Sequence, residues 1–144
     1  MFLGLYSELA RSHVVKAREI IAARGYSSTP DDIRRFRQDL AVGNPGVELQ
    51  RLSQSPDFFS TSECRDLLFH VQEHRLTLSQ IESFLADFGL HFIGFELDRS
   101  VLHQYRVRFT DDPSGTHLRN WASFEADNPD TFAGMYQFWI QKPP

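Results

Sequence analysis

The stretch Thr77–Leu97 leaves this chain the least choice of fold. Thr77-Leu78-Ser79-Gln80 has capping-box spacing, in which a threonine hydroxyl and a glutamine side chain each satisfy a free backbone N–H at a helix start. Ile81, Phe84, Leu85 and Phe88 follow at helical spacing, and Gly89 supplies the left-handed residue that closes a helix. Leu90–Leu97 is then a short apolar run that reads as a strand. A capped helix, a glycine and a strand form one unit of an α/β fold, so helices packed on a sheet are expected.

Two further strands fit that expectation. Phe2-Leu3-Gly4-Leu5-Tyr6 reads as a buried strand, and Met135–Gln141 as a terminal strand apolar enough on both sides to sit inside a sheet. The first begins almost at Met1, where chains are ordinarily frayed, and this suggests a portion of something longer. Between the strands, Val14, Val15, Ala17, Ile20, Ile21 and Ala22 form an apolar helix face that opens at Ser12 or His13 and is closed by Gly25. Thr29-Pro30-Asp31-Asp32 opens a second helix, carrying Ile33, Phe36 and Leu40 inward and ending at Gly43-Asn44-Pro45-Gly46. A short helix is expected over Val47–Ser53, another from Ser60 through Phe69, one capped by Asp98, and one from Leu118 through Glu125, with Asp111-Asp112-Pro113 as a turn. Three strands among these helices make an α/β fold in a single domain over residues 1–144, with too little sheet for a complete doubly wound domain.

Composition narrows the function classes. The 13 Phe, 4 Tyr and 2 Trp among 144 residues supply a core, which argues against a disordered chain. Fifteen Lys and Arg against 19 Asp and Glu, spread without long single-sign blocks, argue against a dedicated nucleic-acid binder. One cysteine, Cys64, excludes a disulfide scaffold and a cysteine-rich zinc site. The apolar runs fall well short of the ~20 residues that cross a bilayer. No basic flank and apolar core of a signal peptide opens the chain, so a cytoplasmic protein is expected.

The segments LGLYSELAR, DIRRFRQDL, CRDLLFHVQEHRLTLSQIESFLADFGLHFIGFEL and NPDTFAGMYQFWIQK resemble the C-terminal region of bacterial class I S-adenosylmethionine-dependent methyltransferases, a kind often fused to tetratricopeptide repeats. The resemblance covers nearly the whole chain. It implies a partial Rossmann-like sheet in which the last strand is antiparallel and inserted between the other two. It also implies methyl transfer to an unidentified acceptor by the parent protein, with S-adenosylmethionine as the parent's cofactor. The cofactor site of such a fold needs a Gly-rich turn after its first strand and an acid on the ribose. No two of the eight glycines here are separated by a single residue, so the G-x-G core is missing. The chain alone is therefore expected to carry only the substrate-side portion, with no cofactor of its own. Its expected partners are an upstream methyltransferase half, or a second copy paired through the first strand.

Two groups of residues invite a functional reading. Tyr6 and Glu8 stand at the carboxyl end of the first strand, where open α/β sheets bind ligands; Tyr6 would line an acceptor pocket and Glu8 orient a polar acceptor. The competing reading has Ser7 capping a helix with Glu8 near its dipole. His70-Val71-Gln72-Glu73-His74 matches the H-x-x-E-H pattern of inverted zinc proteases, with two ligands and a general base on one helix. Thr77 is a good cap for the next helix, however, which places the motif in a loop. There His70, Glu73 and His74 either pin a neighbouring helix or form the rim of the acceptor pocket. A zinc hydrolase and a non-catalytic interaction module stay as alternatives. Cys64 reads as a buried structural thiol.

Overall fold

A computed structural model describes residues 1–43, 47–69, 73–133 and 135–143. In chain order the elements are β1 (Phe2–Ser7), α1 (Ser12–Arg24), α2 (Pro30–Val42), α3 (Val47–Gln50), 3-10 turns at Leu52–Gln54 and Pro56–Phe58, α4 (Thr61–Phe69), β2 (Arg75–Leu76), α5 (Leu78–Asp87), β3 (His91–Phe95), α6 (Arg99–Arg108), α7 (Leu118–Asp127) and β4 (Tyr136–Gln141). They fall into two compact units, one built from Met1–Ala10 with His74–Pro144 and the other from Arg11–Glu73.

The first unit holds a mixed sheet in the order β2-β1-β4-β3. The last strand is antiparallel to both neighbours and lies between the first and the middle one, in the order expected. Phe2 faces Trp139 and Leu5 faces Tyr136 on one side, while Phe92 faces Ile140 and Phe95 faces Phe138 on the other. The expected count of three strands needs correction. Arg75–Leu76 forms a fourth, parallel to Tyr6–Ser7, and the Glu8 N–H donates to the Leu76 carbonyl at 3.0 Å.

Strand β4 alternates strictly. Tyr136, Phe138 and Ile140 are buried, while Gln137, Trp139 and Gln141 face solvent. It sits inside the sheet as expected, but only one of its faces is covered. That face packs on Leu78, Ile81 and Leu85 of α5, and on Tyr105, Trp121, Phe124 and Phe132. Trp121 stacks on Tyr105 with ring centroids 3.8 Å apart and donates its indole N–H to the Gly115 carbonyl at 2.8 Å. The Thr77 box forms in full, with Gln80 N–H donating to Thr77 Oγ1 at 3.2 Å and Thr77 N–H to Gln80 Oε1 at 2.8 Å. Asp98 stands at the N-cap of α6, yet its side chain makes no cap hydrogen bond.

The second unit is helical. Val14, Ala17 and Ile21 of α1, Ile33 and Phe36 of α2, Leu49, Leu52 and Phe58, and Cys64, Leu67 and Leu68 of α4 share one core. Gly25 closes α1 at φ 69°, and Thr29 caps α2 by accepting from the Asp32 N–H at 3.4 Å. The expected helix over Val47–Ser53 divides into α3 and a 3-10 turn, and the break expected over residues 43–46 lies mostly outside the described residues. Among the described residues, no helix is long and apolar enough to cross a membrane.

Candidate functional site

Strand β4 is antiparallel to both β1 and β3, and β2 is parallel to β1, so β1, β2 and β3 all run one way. Their carboxyl ends, at Ser7, Leu76 and Phe95, share one border of the sheet, and open α/β sheets bind their ligands beyond that border. Tyr6 and Glu8 stand there. Tyr6 is half-buried in register with Arg75, and Glu8 is exposed. His74 is exposed at the amino end of β2, one residue before the Arg75 that pairs with Tyr6, and so stands one step back from that border. The competing reading of Ser7 fails, since α1 opens five residues later and its N-cap is Arg11.

The H-x-x-E-H segment divides. His70 lies outside the described residues, as do Val71 and Gln72. Glu73 and His74 lie in irregular chain between α4 and β2, as the loop reading expects. Glu73 belongs to the helical unit, where its carboxylate meets two guanidinium groups. Arg18 donates to Oε2 at 3.2 Å, and Arg11 Nε stands 3.2 Å from Oε1 as a charge contact. Its side chain is only 8% exposed, so the two arginines supply the compensation that a carboxylate in that setting needs. Arg18 also donates to the Leu67 carbonyl at 2.8 Å and so ties α1 to α4.

A second carboxylate was not foreseen. Glu125 on α7 is 4% exposed; it accepts from Ser7 Oγ at 2.5 Å and from the Tyr136 hydroxyl at 2.7 Å. Ser7 Oγ in turn accepts from the Ala10 N–H at 3.0 Å. Burial pushes the Tyr136 phenol upward, and the Glu125 carboxylate reinforces that shift. Three residues far apart in sequence thereby lock the carboxyl end of β1 to β4 and α7. Only the presence of an acid among apolar helix neighbours (Trp121, Ala122, Phe124) hinted at this role.

A third feature lies at the opposite border of the same sheet, where β3 begins. A cleft of about 620 Å³ opens between α5, the start of β3 and the first turn of α7. Leu85, Leu90 and Phe92 line it with apolar surface, and Glu82, His91, His117 and Arg119 with polar groups. Arg119 Nε contacts Glu82 Oε2 at 3.2 Å across it. Beside the cleft, the buried Asp112 carboxylate takes the N–H groups of Thr116 at 3.1 Å and His117 at 2.9 Å. Sequence spacing does not pair His91 with His117, whose shared cleft depends on how α5, β3 and α7 pack.

Compared with known proteins, the chain matches no family model and no curated sequence.

Proposed function

We propose that this chain is the C-terminal, acceptor-side portion of a class I S-adenosylmethionine-dependent methyltransferase, with a partial Rossmann-like sheet completed by an upstream half. The observation that carries the reading is the antiparallel β4 held between the parallel strands β1 and β3, joined to the capped helix–Gly89–strand unit. In this reading the ligand-facing border would include Tyr6 and Glu8, with His74 one residue before the Arg75 that pairs with Tyr6. Methyl transfer is an in-line displacement, so the protein's task is to hold the acceptor in line and keep water out. Tyr6 would form the apolar wall and Glu8 would orient a polar acceptor by accepting its hydrogen bond. Support for leaving the cofactor to the other half comes from β1, which runs into Ser7-Glu8-Leu9-Ala10-Arg11, a turn without the glycine that a close backbone approach to a cofactor would need. That part of the site is assigned to the upstream half.

The zinc-hydrolase alternative asks Glu73 to polarise water, yet both of its oxygens face arginines. The interaction-module alternative draws on β1, part of whose outer edge has no strand partner among the described residues. Met1 and Ile140 exchange both backbone hydrogen bonds, so by antiparallel alternation Phe2 and Gly4 turn their N–H and C=O groups away from β4. Among the described residues, strand β2 pairs with Tyr6 and Ser7 on that side and takes the Glu8 N–H at the Leu76 carbonyl.

Titration calorimetry with S-adenosylmethionine separates the readings. Association alone costs at least ~4 kcal/mol of lost freedom, which a few acceptor-side contacts do not offset. No binding is expected for the chain by itself, and binding with methyl transfer when a Gly-rich strand–turn–helix half is joined upstream. Micromolar binding to the chain alone, or none with the upstream half, overturns the proposal.

A further inference from the structure

We propose that the cleft between α5, β3 and α7 is a second binding site, specific for a small organic oxyanion, that is, a carboxylate or phosphate carried on an apolar body. Its volume of about 620 Å³ falls within the ~300–1,000 Å³ usual for small-molecule sites, and its make-up has the usual form of an apolar floor with a few polar groups. Leu85, Leu90 and Phe92 form the floor. The polar groups are rich in donors: His91, His117 and Arg119 line the cleft with one carboxylate, Glu82, and the Asp112 carboxylate beside it stands 3.9 Å from His117 Nδ1. Glu82 engages Arg119 through Nε, and a guanidinium fork carries further N–H donors suited to a planar or tetrahedral oxyanion. The dipole of α7 is not invoked, because Asp112 already takes the N–H groups of Thr116 and His117. The side chains therefore carry the recognition.

The site is also distinct from the acceptor border. The cleft is lined by His91 and Phe92 at the amino end of β3, whereas Ser7, Leu76 and Phe95 mark the carboxyl ends. A ligand here would leave the other border free, so the proposal stands whether or not the methyltransferase reading does. Glu82 has a specific place in it: with its carboxylate across the cleft from Arg119, it competes with the incoming oxyanion for the same guanidinium.

The test is a titration of the full 144-residue chain with phenyl phosphate and with benzoate, followed by the imidazole NMR signals of His91 and His117. Inorganic phosphate and phenol serve as the separate halves of the ligand. Saturable binding of at least one organic anion is expected, with both imidazoles shifting and with each half-ligand at least about tenfold weaker, since a charge-assisted hydrogen bond is worth roughly that factor or more. Arg119→Gln removes an exposed side chain and is expected to weaken binding by about five- to tenfold. Glu82→Gln frees Arg119 and is expected to tighten it by about two- to fivefold. Ala86→Trp, at an exposed lining position, fills the cleft and is expected to abolish binding. The proposal is overturned if neither anion binds below about 10 mM, where affinity becomes negligible. It is equally overturned if inorganic phosphate or phenol binds as well as the whole ligand, or if Arg119→Gln and Ala86→Trp leave binding unchanged.

Discussion

Asp112→Asn probes what holds the sheet-bearing unit together. Asp112 is 1% exposed, and its carboxylate accepts from the Tyr105 hydroxyl at 2.5 Å, Ser114 Oγ at 3.0 Å, the Thr116 N–H at 3.1 Å and the His117 N–H at 2.9 Å. Burial by itself would raise the carboxyl pKa. The bonds from Tyr105, His117, Thr116 and Ser114 outweigh it and hold the group at about 2, against an ordinary 3.8. That fall corresponds to about 2.5 kcal/mol of stabilisation, at about 1.4 kcal/mol for each tenfold in proton affinity. The folded pKa lies below the unfolded one, so the stabilisation is full above about pH 4 and is lost as the pH drops toward 2.

Asparagine keeps the shape, removes the charge and turns an NH₂ toward groups that are themselves donors. The expected cost near neutral pH is about 3 kcal/mol, or a fall in Tm of about 6–12 °C for a chain of this length. Urea unfolding followed by tryptophan fluorescence is the suitable assay, because Trp121 and Trp139 both lie in the unit that contains Asp112. The gap between native chain and variant is expected to be constant from pH 7 to 5 and to shrink by most of its size between pH 4 and 2. A gap below ~1 kcal/mol at pH 7, or one that does not change with acid, would refute the assignment of this carboxylate as a charged anchor.

The remaining predictions follow from the same bonds and surfaces. Glu125→Ala strands the hydroxyls of Ser7 and Tyr136 and is expected to cost about 3 kcal/mol, whereas Tyr136→Phe, which removes one bond to a charged acceptor, should cost about 1.5–3 kcal/mol in the same assay; losses under ~0.5 kcal/mol from both would mean the triad holds nothing. Cys64 is buried and burial pushes its thiol upward, so alkylation should be slow in the native chain and rapid in urea; fast native labelling at pH 7 would contradict the packing of α4. The β1 edge carries no charge and no proline over Phe2–Ser7, the devices that ordinarily discourage edge pairing. Concentration-dependent self-association is expected by sedimentation, and Phe2→Lys should reduce it; a monodisperse monomer would remove this edge as a self-association surface.

What was legible in the sequence was whatever local spacing determines. The Thr77 box, Gly25 and Gly89 as helix ends and Pro30 inside the first turn of α2 all act within a few residues, and each is found where expected, whereas Met135–Gln141 read as apolar on both sides and the strand proves to be buried on one face. Strand β2 was not legible, because Arg75-Leu76 is a strand only through its pairing with Tyr6-Ser7, nearly seventy residues away. Asp112 read as a turn residue and its loop does turn, but its burial and its bond to Tyr105 depend on how α6 and α7 pack. The H-x-x-E-H spacing suggested chemistry for Glu73, whereas Arg11 at the N-cap of α1 and Arg18 on α1, which hold its carboxylate, lie far upstream.

Glu125 bears on the proposed acceptor border. Tyr6 and Glu8 flank Ser7, and Ser7 is the residue whose hydroxyl is held by the Glu125 carboxylate while it accepts from the Ala10 N–H. On its other side, the Glu8 N–H is fixed to Leu76. The backbone that presents Tyr6 and Glu8 is thus restrained from three directions: by α7 through Glu125, by its own turn through Ala10, and by β2. A site that must hold an acceptor in line needs its presenting residues set before the ligand arrives, and rigid supporting contacts supply that. A carboxylate buried against two hydroxyls would be a poor choice for stability alone, since apolar packing could serve the same space. Its value here lies in direction: two hydroxyl bonds fix where the end of β1 points, which apolar packing would leave looser.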